Sequence, residues 1–486
     1  MAIRRYTATA DNTITNAYKE NLTTRGTGSN MGQADVSEVF SIYARANTSS
    51  AELSRVLTQF DIDTISSDRT AGTIPASGSV SFYLRLFNAE TSKTVPKNFT
   101  IVAQAISRSW EEGDGLDLEN YKDVGKSNWI SASNTTAWDT AGGDYHASPV
   151  FTQVFSTGLE DLEIDISELV EQWIAGTKEN YGVGLRLTSS QEASSSVNPS
   201  GATGSYYTKR FFARGTQYFF KKPVIEARWN SSTQDDRGDF YYSSSLAPAA
   251  DNLNTIYLYN VVRGRLANIP DIGTGNIYVN LYSGSTSPTG AILTQAVATP
   301  ATGGYVSTGI YSCSVCITAA ATPLTTLFDV WYSGSTQYFT GTISPITHYG
   351  LGASTGNTRY ITKIKNLRNK YFSEEEARFN VYVRNKNWSP TIYTVASSEI
   401  ENTIIQSASY RVYRVLDGYN AIPHGTGSDL QTILSYDVSG NYFNLDMSLL
   451  EPGYEYGIKL AFYDSQRNTW IEQDQKFLFR VEDYEY

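Results

Sequence analysis

Five acidic residues in the segment EEGDGLDLEN have carboxylates that could perform two kinds of chemistry. They are Glu111, Glu112, Asp114, Asp117 and Glu119. Paired carboxylates can hydrolyse glycosidic bonds, and clustered carboxylate oxygens can bind calcium. The order of these residues does not follow the EF-hand pattern. We therefore expect a solvated acidic loop, with a calcium site at the first four residues as the alternative and hydrolysis as the least favoured use.

The cysteines and histidines offer little further chemistry. Cys313 and Cys316 form a C-x-x-C pattern, which occurs in redox sites and zinc sites. No second Cys or His pair completes four zinc ligands, so we expect one or both cysteines to be buried thiols. His146, His348 and His424 fall in three different predicted domains, which predicts no metal triad and no catalytic base. No nucleophile elbow, phosphate-binding glycine loop or zincin motif is found, so we expect no enzyme and no cofactor.

Several aromatic residues in predicted loops could bind sugars or partner proteins. An exposed aromatic ring is a good platform for a sugar, and Tyr and Trp are also common in subunit contacts. The sequence leaves both uses open. The candidates are Trp129, Trp138, Tyr145, Tyr206, Tyr207, Tyr241 and Tyr242.

Charge and hydropathy disfavour two classes of partner. The net charge is -11, and the only local basic cluster consists of Lys209, Arg210, Arg214, Lys221 and Lys222. This cluster is too small to hold a nucleic-acid backbone. No segment approaches the roughly 20 apolar residues that span a bilayer, so we expect no membrane insertion. The start MAIRRYTATADNTI has no apolar core of a signal peptide, so we expect cytoplasmic synthesis without a cleaved signal.

Strand-like segments extend along the whole chain and must position these residues. At 486 residues the chain is long enough for several domains. In SFYLRLF, Phe82, Leu84 and Leu86 alternate with residues of the opposite face, as in a half-buried strand. We predict an all-β fold of tandem β-sandwiches, of the jelly-roll or immunoglobulin type, at residues 1–230, 240–345 and 358–486. NSSTQDDRGD and HYGLGASTGN are the predicted linkers.

One short helix interrupts this pattern in the first domain. Its apolar residues recur with helical spacing at Ile166, Leu169, Val170, Trp173 and Ile174. Asp165 and Glu168 are placed as a variant of the capping box, and Gly176 is placed to end the helix. We expect this helix to cover one end of the first sandwich with Leu169 and Trp173.

The first 230 residues resemble the DNRLRE-type β-sandwiches, a family of domains similar to carbohydrate-binding modules. The matching segments, in order, are ATADNTITN, LSRVLTQFDI, SRSWEEGDG, IDISELVEQWIAG, YGVGLRL, and RFFARGT with KKPVIEARW. The family's Asn-Arg string is absent, and an insertion separates Leu118 from Phe151. The resemblance implies a scaffold that binds glycans or other proteins and performs no turnover. Near the C-terminus, SLLEPGYEYGIKLAFYD resembles the tyrosine corner of fibronectin type III sandwiches, which implies that Tyr456 bonds back to its own corner.

The amino-acid sequence as a whole also resembles those of the structural proteins of tailed bacteriophages. This likeness is carried by SEEEARFNVYVRNKNWSPTIYTVAS and SYRVYRVLDGYNAIPHG. It implies a virion protein of the head, neck, tail or fibre that contacts other virion proteins and copies of itself, without catalysis. The alternative is a glycan-binding adhesin or a non-catalytic carbohydrate-binding module, with a host glycan as partner.

Overall fold

The fold is all-β, as the alternation of apolar residues predicts. Strands account for 46% of the chain and helix for only 7%. The computed structural model describes residues 2–43, 45–46, 50–92, 94–118, 125–192, 205–244, 247–295, 298–318, 324–346, 359–389, 392, 402–426, 429–465 and 467–483. Within these ranges no helix combines the length and the apolar character needed to cross a membrane.

The chain divides into two compact units. Unit 1 contains Met1–Asn230 together with Asp429–Gln431, and unit 2 contains Ser231–Ser428 and Thr432–Tyr486. Unit 2 holds two successive groups of strands, and the predicted linker HYGLGASTGN between them lies outside the described residues. The domain boundaries 1–230, 240–345 and 358–486 stay predictions.

The described residues of unit 1 form ten strands and two α-helices. The strands are β1 (Ile3–Thr15), β2 (Val36–Tyr43), β3 (Ala51–Phe60), β4 (Ser81–Leu86), β5 (Phe99–Ile106), β6 (Tyr145–Phe155), β7 (Leu162–Asp165), β8 (Val183–Leu187), β9 (Ser205–Phe212) and β10 (Val224–Arg228). They are joined in the order β6-β5-β8-β3-β1-β10-β4-β7, and β2 pairs with both β3 and β9. The helices are α1 (Ile62–Thr70) and α2 (Ser167–Ile174).

The sheets of unit 1 curl because β1 is shared between two of them. Ile3–Thr7 pairs with β10, whereas Ala8–Thr15 pairs with β3 after a register shift. The residues that follow β4 are joined to β9 by backbone hydrogen bonds, from Ala89 N to Arg210 O and from Phe212 N to Phe87 O. The alternation predicted for SFYLRLF is confirmed, because Phe82, Leu84 and Leu86 are fully buried in the core between the layers.

An ion cluster crosses the opposite face of this sheet. Glu226 on the central strand β10 is buried and accepts hydrogen bonds from Arg5 Nε at 2.7 Å, Arg85 Nη1 at 3.2 Å and Arg228 Nε at 2.7 Å. Burial opposes ionisation of Glu226, but the three arginines outweigh it and hold the pKa of Glu226 below its ordinary value. The cluster thus ties together β1, β4 and β10.

Helix α2 is confirmed, and it buries Leu169, Val170 and Trp173 in the core of unit 1. Gly176 ends it with a φ of 67°, which favours glycine. The predicted capping box is wrong. Ile166 is the N-cap residue and makes no side-chain cap, while Asp165 Oδ1 accepts hydrogen bonds from Ser167 N and Oγ at 2.9 and 2.5 Å.

The prediction of a single helix in the first domain is also wrong. A second helix, α1, begins directly after β3. Asp61 is its N-cap and accepts hydrogen bonds from Asp63 N at 3.0 Å and Thr64 N at 3.4 Å. Arg69 near its end forms a two-pronged ion pair with Glu171 of α2, at 2.7 and 2.6 Å. Only Ile65 of α1 is buried, so this helix has almost no apolar periodicity to reveal it.

Unit 2 begins with a sandwich formed by β11–β18. The strands are β11 (Asn254–Tyr259), β12 (Val261–Val262), β13 (Arg265–Leu266), β14 (Ile277–Ser283), β15 (Ala301–Ser307), β16 (Ile310–Val315), β17 (Leu327–Ser333) and β18 (Thr336–Ile343). Six of them are joined in the order β11-β16-β15-β14-β17-β18, and β12 and β13 form a separate hairpin. Trp331 and Tyr311 are fully buried in its core.

The remaining strands of unit 2 form a second sandwich, β19–β28. They are β19 (Tyr360–Ile364), β20 (Lys370–Phe372), β21 (Glu376–Asn385), β22 (Ala408–Arg414), β23 (Asn420–Ile422), β24 (Ser435–Asp437), β25 (Gly440–Asp446), β26 (Glu455–Asp464), β27 (Thr469–Glu472) and β28 (Phe477–Glu482). One sheet has the order β19-β21-β25-β24, and the other β20-β28-β26-β22-β23 with β27 beside β26. Tyr456 is fully buried, and its hydroxyl donates to Glu451 O at 2.7 Å. The corner bond predicted for Tyr456 is therefore present.

Candidate functional site

The predicted linker Asn230–Asp239 is hydrogen-bonded to the second sandwich of unit 2. Thr233 N donates to Ser435 Oγ at 2.9 Å, and Tyr436 N donates to Thr233 O at 3.0 Å. Asp235 N donates to Tyr436 O at 3.0 Å. These bonds, with a parallel bridge between Gln234 and Tyr436, place the linker as an added strand at the β24 edge.

The same linker enters the first sandwich of unit 2 through Arg237. Its Nη2 lies 2.5 Å from Asp329 Oδ2, its Nη1 lies 2.8 Å from Asp235 Oδ2, and the same Nη1 donates to Tyr257 O. Asp329 is fully buried and also accepts a hydrogen bond from Trp331 Nε1 at 2.7 Å. Burial raises the pKa of Asp235 to about 6, although Arg237 acts in the opposite direction. Arg237 thus compensates two buried carboxylates.

A large polar cleft lies beside this linker and is our candidate site. Its volume is about 1240 Å³. Five tyrosines line it, together with amide and carboxyl side chains. The tyrosines are Tyr241, Tyr242, Tyr360, Tyr436 and Tyr463; the amides are Gln234, Asn252, Asn254, Asn402 and Gln406; the carboxyls are Asp236, Asp239 and Asp251.

The cleft tyrosines differ in how much of the ring they offer to a ligand. Tyr436 is buried and donates to Asp236 Oδ1 at 2.7 Å, and Tyr242 is buried with its hydroxyl 3.2 Å from Leu324 O. Tyr241 and Tyr360 are half-buried, and Tyr463 is exposed. Two tyrosines therefore build the walls, and three leave ring surface open to the cleft.

Carboxylates set the electrostatics of the cleft. Burial, together with the nearby Asp239 carboxylate, raises the pKa of Tyr241 to about 12. Asp239 Oδ2 accepts a hydrogen bond from Gln406 Nε2 at 2.8 Å. Among the described residues that line the cleft, none is lysine, arginine or histidine. The cleft can donate and accept hydrogen bonds but carries no cation of its own.

The acidic segment of unit 1 is a packed turn. Glu112 forms an ion pair with Arg214 at 2.8 Å and accepts from Asp11 N at 2.8 Å. Glu111 lies 3.6 Å from Lys126 Nζ. The turn wraps the buried Asn30, whose Oδ1 accepts from Gly115 N at 2.9 Å.

The calcium candidates in this turn show no metal-binding arrangement. Glu111, Asp114 and Asp117 are exposed and Glu112 is half-buried, while Glu119 lies outside the described residues. No three His, Cys, Asp or Glu side chains are grouped to hold a metal ion in the part of the chain that the structure describes. Glu112 is occupied instead by Arg214 and by the amide of Asp11.

Three of the aromatic candidates belong to a small core of unit 1. Trp129 and Trp138 are buried, and Tyr145 packs against them beneath the segment that follows β5. Trp138 Nε1 donates to Asn128 O at 2.8 Å, and the Arg55 guanidinium lies 5.3 Å from the Trp129 ring. In this conformation these rings offer no open face to a sugar.

The other aromatic candidates lie in two places. Tyr206 and Tyr207 are neighbours on β9, where Tyr206 is exposed and Tyr207 packs against the core of unit 1. Tyr241 and Tyr242 both line the cleft of unit 2. The sequence offered no signal for the other cleft tyrosines, because they come from distant strands that only the fold brings together.

The basic cluster of the sequence is dispersed and largely paired in unit 1. Lys209 is buried, and its Nζ donates to Asn88 Oδ1, Gly158 O and Glu160 O at 2.6, 3.0 and 2.7 Å. Burial lowers the pKa of Lys209 to about 8. Arg210 lies 4.0 Å from Glu38, and Arg214 pairs with Glu112. Lys221 stands 5.4 Å over the Phe87 ring, and Lys222 is half-buried.

Both cysteines are free and buried, as predicted. Burial raises the pKa of Cys313 to about 12, and the nearby Asp329 carboxylate acts in the same direction. His146 on β6 is half-buried, and burial followed by Lys178 lowers its pKa. His348 lies outside the described residues.

A serine–histidine–glutamate row, which the sequence did not reveal, occurs in the second sandwich of unit 2. Ser409 Oγ lies 3.1 Å from His424 Nδ1, and His424 Nε2 lies 3.7 Å from Glu472 Oε2. Ser409 is fully buried, however, and its hydroxyl is also 2.8 Å from Thr432 Oγ1. Glu472 is held by Arg411 and Lys459. A nucleophile must reach its substrate, so this row is structural in the conformation described.

Comparison with known proteins gives no family for this chain. No protein-family model matches it, and no curated protein matches it. Among solved structures it aligns with the crystal structure of Salmonella alpha-2-macroglobulin reacted with methylamine, at 8% identity and a TM-score of 0.14. The alignment covers 99% of this chain and 34% of that chain, so this chain spans about a third of its length. At this TM-score the alignment does not indicate a shared fold.

Proposed function

We propose that this protein is a structural component of a tailed-phage virion that acts through protein–protein interfaces and performs no catalysis. Its tandem sandwiches and its phage-like sequence segments support this role. The first 230 residues would then be a binding scaffold of the DNRLRE type. Its partners would be other virion proteins and further copies of the chain.

The observation that carries the proposal is an exposed apolar hairpin on unit 2. In β12 and β13, Val261 pairs with Leu266 and Val262 pairs with Arg265, around a turn at Arg263 and Gly264. The turn residues have φ of 50° and 79°, which is typical of a tight two-residue hairpin. The apolar hairpin residues are 42% to 56% exposed. Exposed apolar surface that is concentrated in one place marks an interaction site.

The neighbouring strands extend this apolar surface. Asn260 N donates to Gly309 O at 2.7 Å, which places the β15–β16 turn against the base of the hairpin. Tyr305 and Val306 are also exposed. We call Val261, Val262, Leu266, Tyr305 and Val306 the hairpin patch.

Charge indicates what covers the hairpin patch. Arg263 and Arg265 at its tip have no ion-pair partner among the residues that the structure describes. Two copies that each carry a net charge of -11 repel each other overall, so the contact needs an acidic patch of the second copy placed against these two arginines. The proposed occupant is a second copy of this chain, as in a homo-oligomer built on a symmetric particle.

Light scattering of the full chain tests self-association. We expect a mass that is a multiple of 53.7 kDa, and a shift to the monomer mass for Val262→Asp. Val154→Asp is the matched control, because Val154 is an exposed strand valine of unit 1 outside the hairpin patch. Unchanged association of Val262→Asp would place the interface elsewhere.

Mass spectrometry of purified particles tests the virion assignment directly. We expect peptides of this chain in phage particles after density-gradient purification, at a constant ratio to a known capsid protein. A monomer at every concentration, with no such peptides in the particles, would overturn the proposal.

A further inference from the structure

The cleft of unit 2 presents three tyrosine rings that are held in place by the protein. The Tyr463 ring packs on Trp470 with 5.5 Å between centroids, and the Tyr360 ring meets Phe462 edge-on at 5.6 Å. The backbone of Tyr241 is fixed by the Asn254 side chain, which accepts from its N at 3.0 Å and donates to its O at 2.9 Å. Rings that are fixed before binding lose little entropy when a ligand stacks on them.

Uncommitted polar groups lie around these rings. Asp251, Ser407 and Ser465 are exposed at the cleft, and their side chains make no hydrogen bond to any residue that the structure describes. They offer one carboxylate and two hydroxyls to a ligand. The other acids of the cleft are already engaged, since Asp236 accepts from Tyr436 and Asp239 accepts from Gln406.

The charge of the cleft selects among ligand classes. Three carboxyl side chains and no basic side chain among its described lining residues disfavour phosphate, sulfate and uronic acid groups. The many polar groups disfavour a purely apolar ligand, because their hydration would be lost without replacement. A ligand with apolar faces and many neutral hydroxyls satisfies both conditions.

We propose that this cleft binds a neutral oligosaccharide. Sugar ring faces lie on Tyr241, Tyr360 and Tyr463, and sugar hydroxyls donate to Asp251 and exchange hydrogen bonds with Ser407. The volume of about 1240 Å³ exceeds the roughly 300–1,000 Å³ typical of small-molecule pockets, so the ligand has several sugar residues. This activity does not require self-association and is independent of the hairpin patch.

Binding is tested with the full chain on an array of neutral and of uronate- or sulfate-bearing oligosaccharides, followed by titration calorimetry of the best neutral binder. We expect Tyr463→Ala to weaken the affinity at least tenfold and Asp251→Asn to weaken it about threefold. Tyr218→Ala is the matched control, because Tyr218 is an exposed tyrosine, at 53% against 38% for Tyr463, and lies outside both the cleft and the hairpin patch. We expect its affinity to equal that of the wild type.

Three results would overturn the proposal. They are the absence of binding to every neutral glycan, a preference for the acidic glycans, and neutral binding that both cleft variants leave unchanged. Circular dichroism confirms that each variant is folded, and Asp251→Asn supports the test should Tyr463→Ala disturb β26. A monomer that binds neutral glycan would refute self-association through the hairpin patch but would support glycan binding in the cleft. The two proposals can therefore fail separately.

Discussion

Replacing Arg237 with methionine removes the cation between two buried carboxylates and should destabilise unit 2. Methionine retains most of the packing of the arginine stem, so the loss falls mainly on the charge. Asp329 is fully buried and Asp235 is nearly so, which leaves both carboxylates without their guanidinium. Removing one partner of a buried ion pair costs about 3–5 kcal/mol. Against a typical total of about 5–15 kcal/mol for a domain, this is a large fraction.

Hydrogen exchange measures this loss where it occurs. We expect peptides that cover Leu327–Ser333 to exchange faster by a factor of about 150 or more, the equivalent of about 3 kcal/mol or more. Arg467→Ala is the control, because Arg467 is 53% exposed and its ion pair with Asp464 is long, at 3.7 Å. We expect this substitution to change the free energy of unfolding by less than about 0.5 kcal/mol.

A second substitution separates charge from packing. Asp329→Asn in the Arg237→Met background removes one of the two unpaired charges and should restore at least about half of the lost stability. The reasoning is refuted if Arg237→Met costs less than about 1 kcal/mol, or if Asp329→Asn restores nothing.

Three further changes test other parts of the structure. Glu226→Gln removes the buried carboxylate that three arginines share, of which Arg85 and Arg228 keep Glu163, and should cost unit 1 about 3–5 kcal/mol in urea denaturation. Because the folded pKa of Glu226 is depressed, this difference should be present above about pH 4.5 and shrink as the pH falls. Burial raises the pKa of Asp235 to about 6, so the contribution of protonated Asp235 to the free energy of unfolding is complete below about pH 4 and is lost as the pH rises through 6. Asp235→Asn cannot lose this contribution, so its free energy of unfolding should rise by about 3 kcal/mol relative to that of the wild type between pH 4 and pH 7, measured by denaturation at each pH. Tyr456→Phe removes the bond to Glu451 O and should lower the free energy of unfolding by about 1–2 kcal/mol, whereas equal stability would mean that the corner bond is immaterial.

The sequence predicted the elements that have strong apolar periodicity. SFYLRLF alternates strictly and forms β4, and the apolar residues of α2 follow a helical spacing. Helix α1 was not predicted because it has almost no apolar periodicity. Its start is marked by the polar N-cap Asp61, and Ile65 is its one buried residue. The composition of LSRVLTQFDI predicts a single strand, yet its last two residues, Asp61 and Ile62, already belong to the start of α1.

The candidate site was only partly predictable. Tyr241 and Tyr242 were among the aromatic candidates, but nothing local relates them to Tyr360 or Tyr463, more than 100 residues away. Trp129 and Trp138 were candidates for the same use, and only the packing of the fold places them in a core. A polar linker likewise gave no sign that Arg237 enters a sandwich, because its partner Asp329 follows 92 residues later.

The position of β10 in unit 1 has a consequence for the order in which the chain can fold during synthesis. β10 lies between β1 and β4, yet it is the last strand of the unit to leave the ribosome. Until residue 228 is synthesised, the facing edges of β1 and β4 have no partner, and such open edges invite pairing with other chains. Unit 1 therefore cannot complete its sheet until more than 200 residues have been synthesised and β10 is available. Its folding should be slow, should begin only after β10 has emerged, and should be most sensitive to chain concentration before that closure.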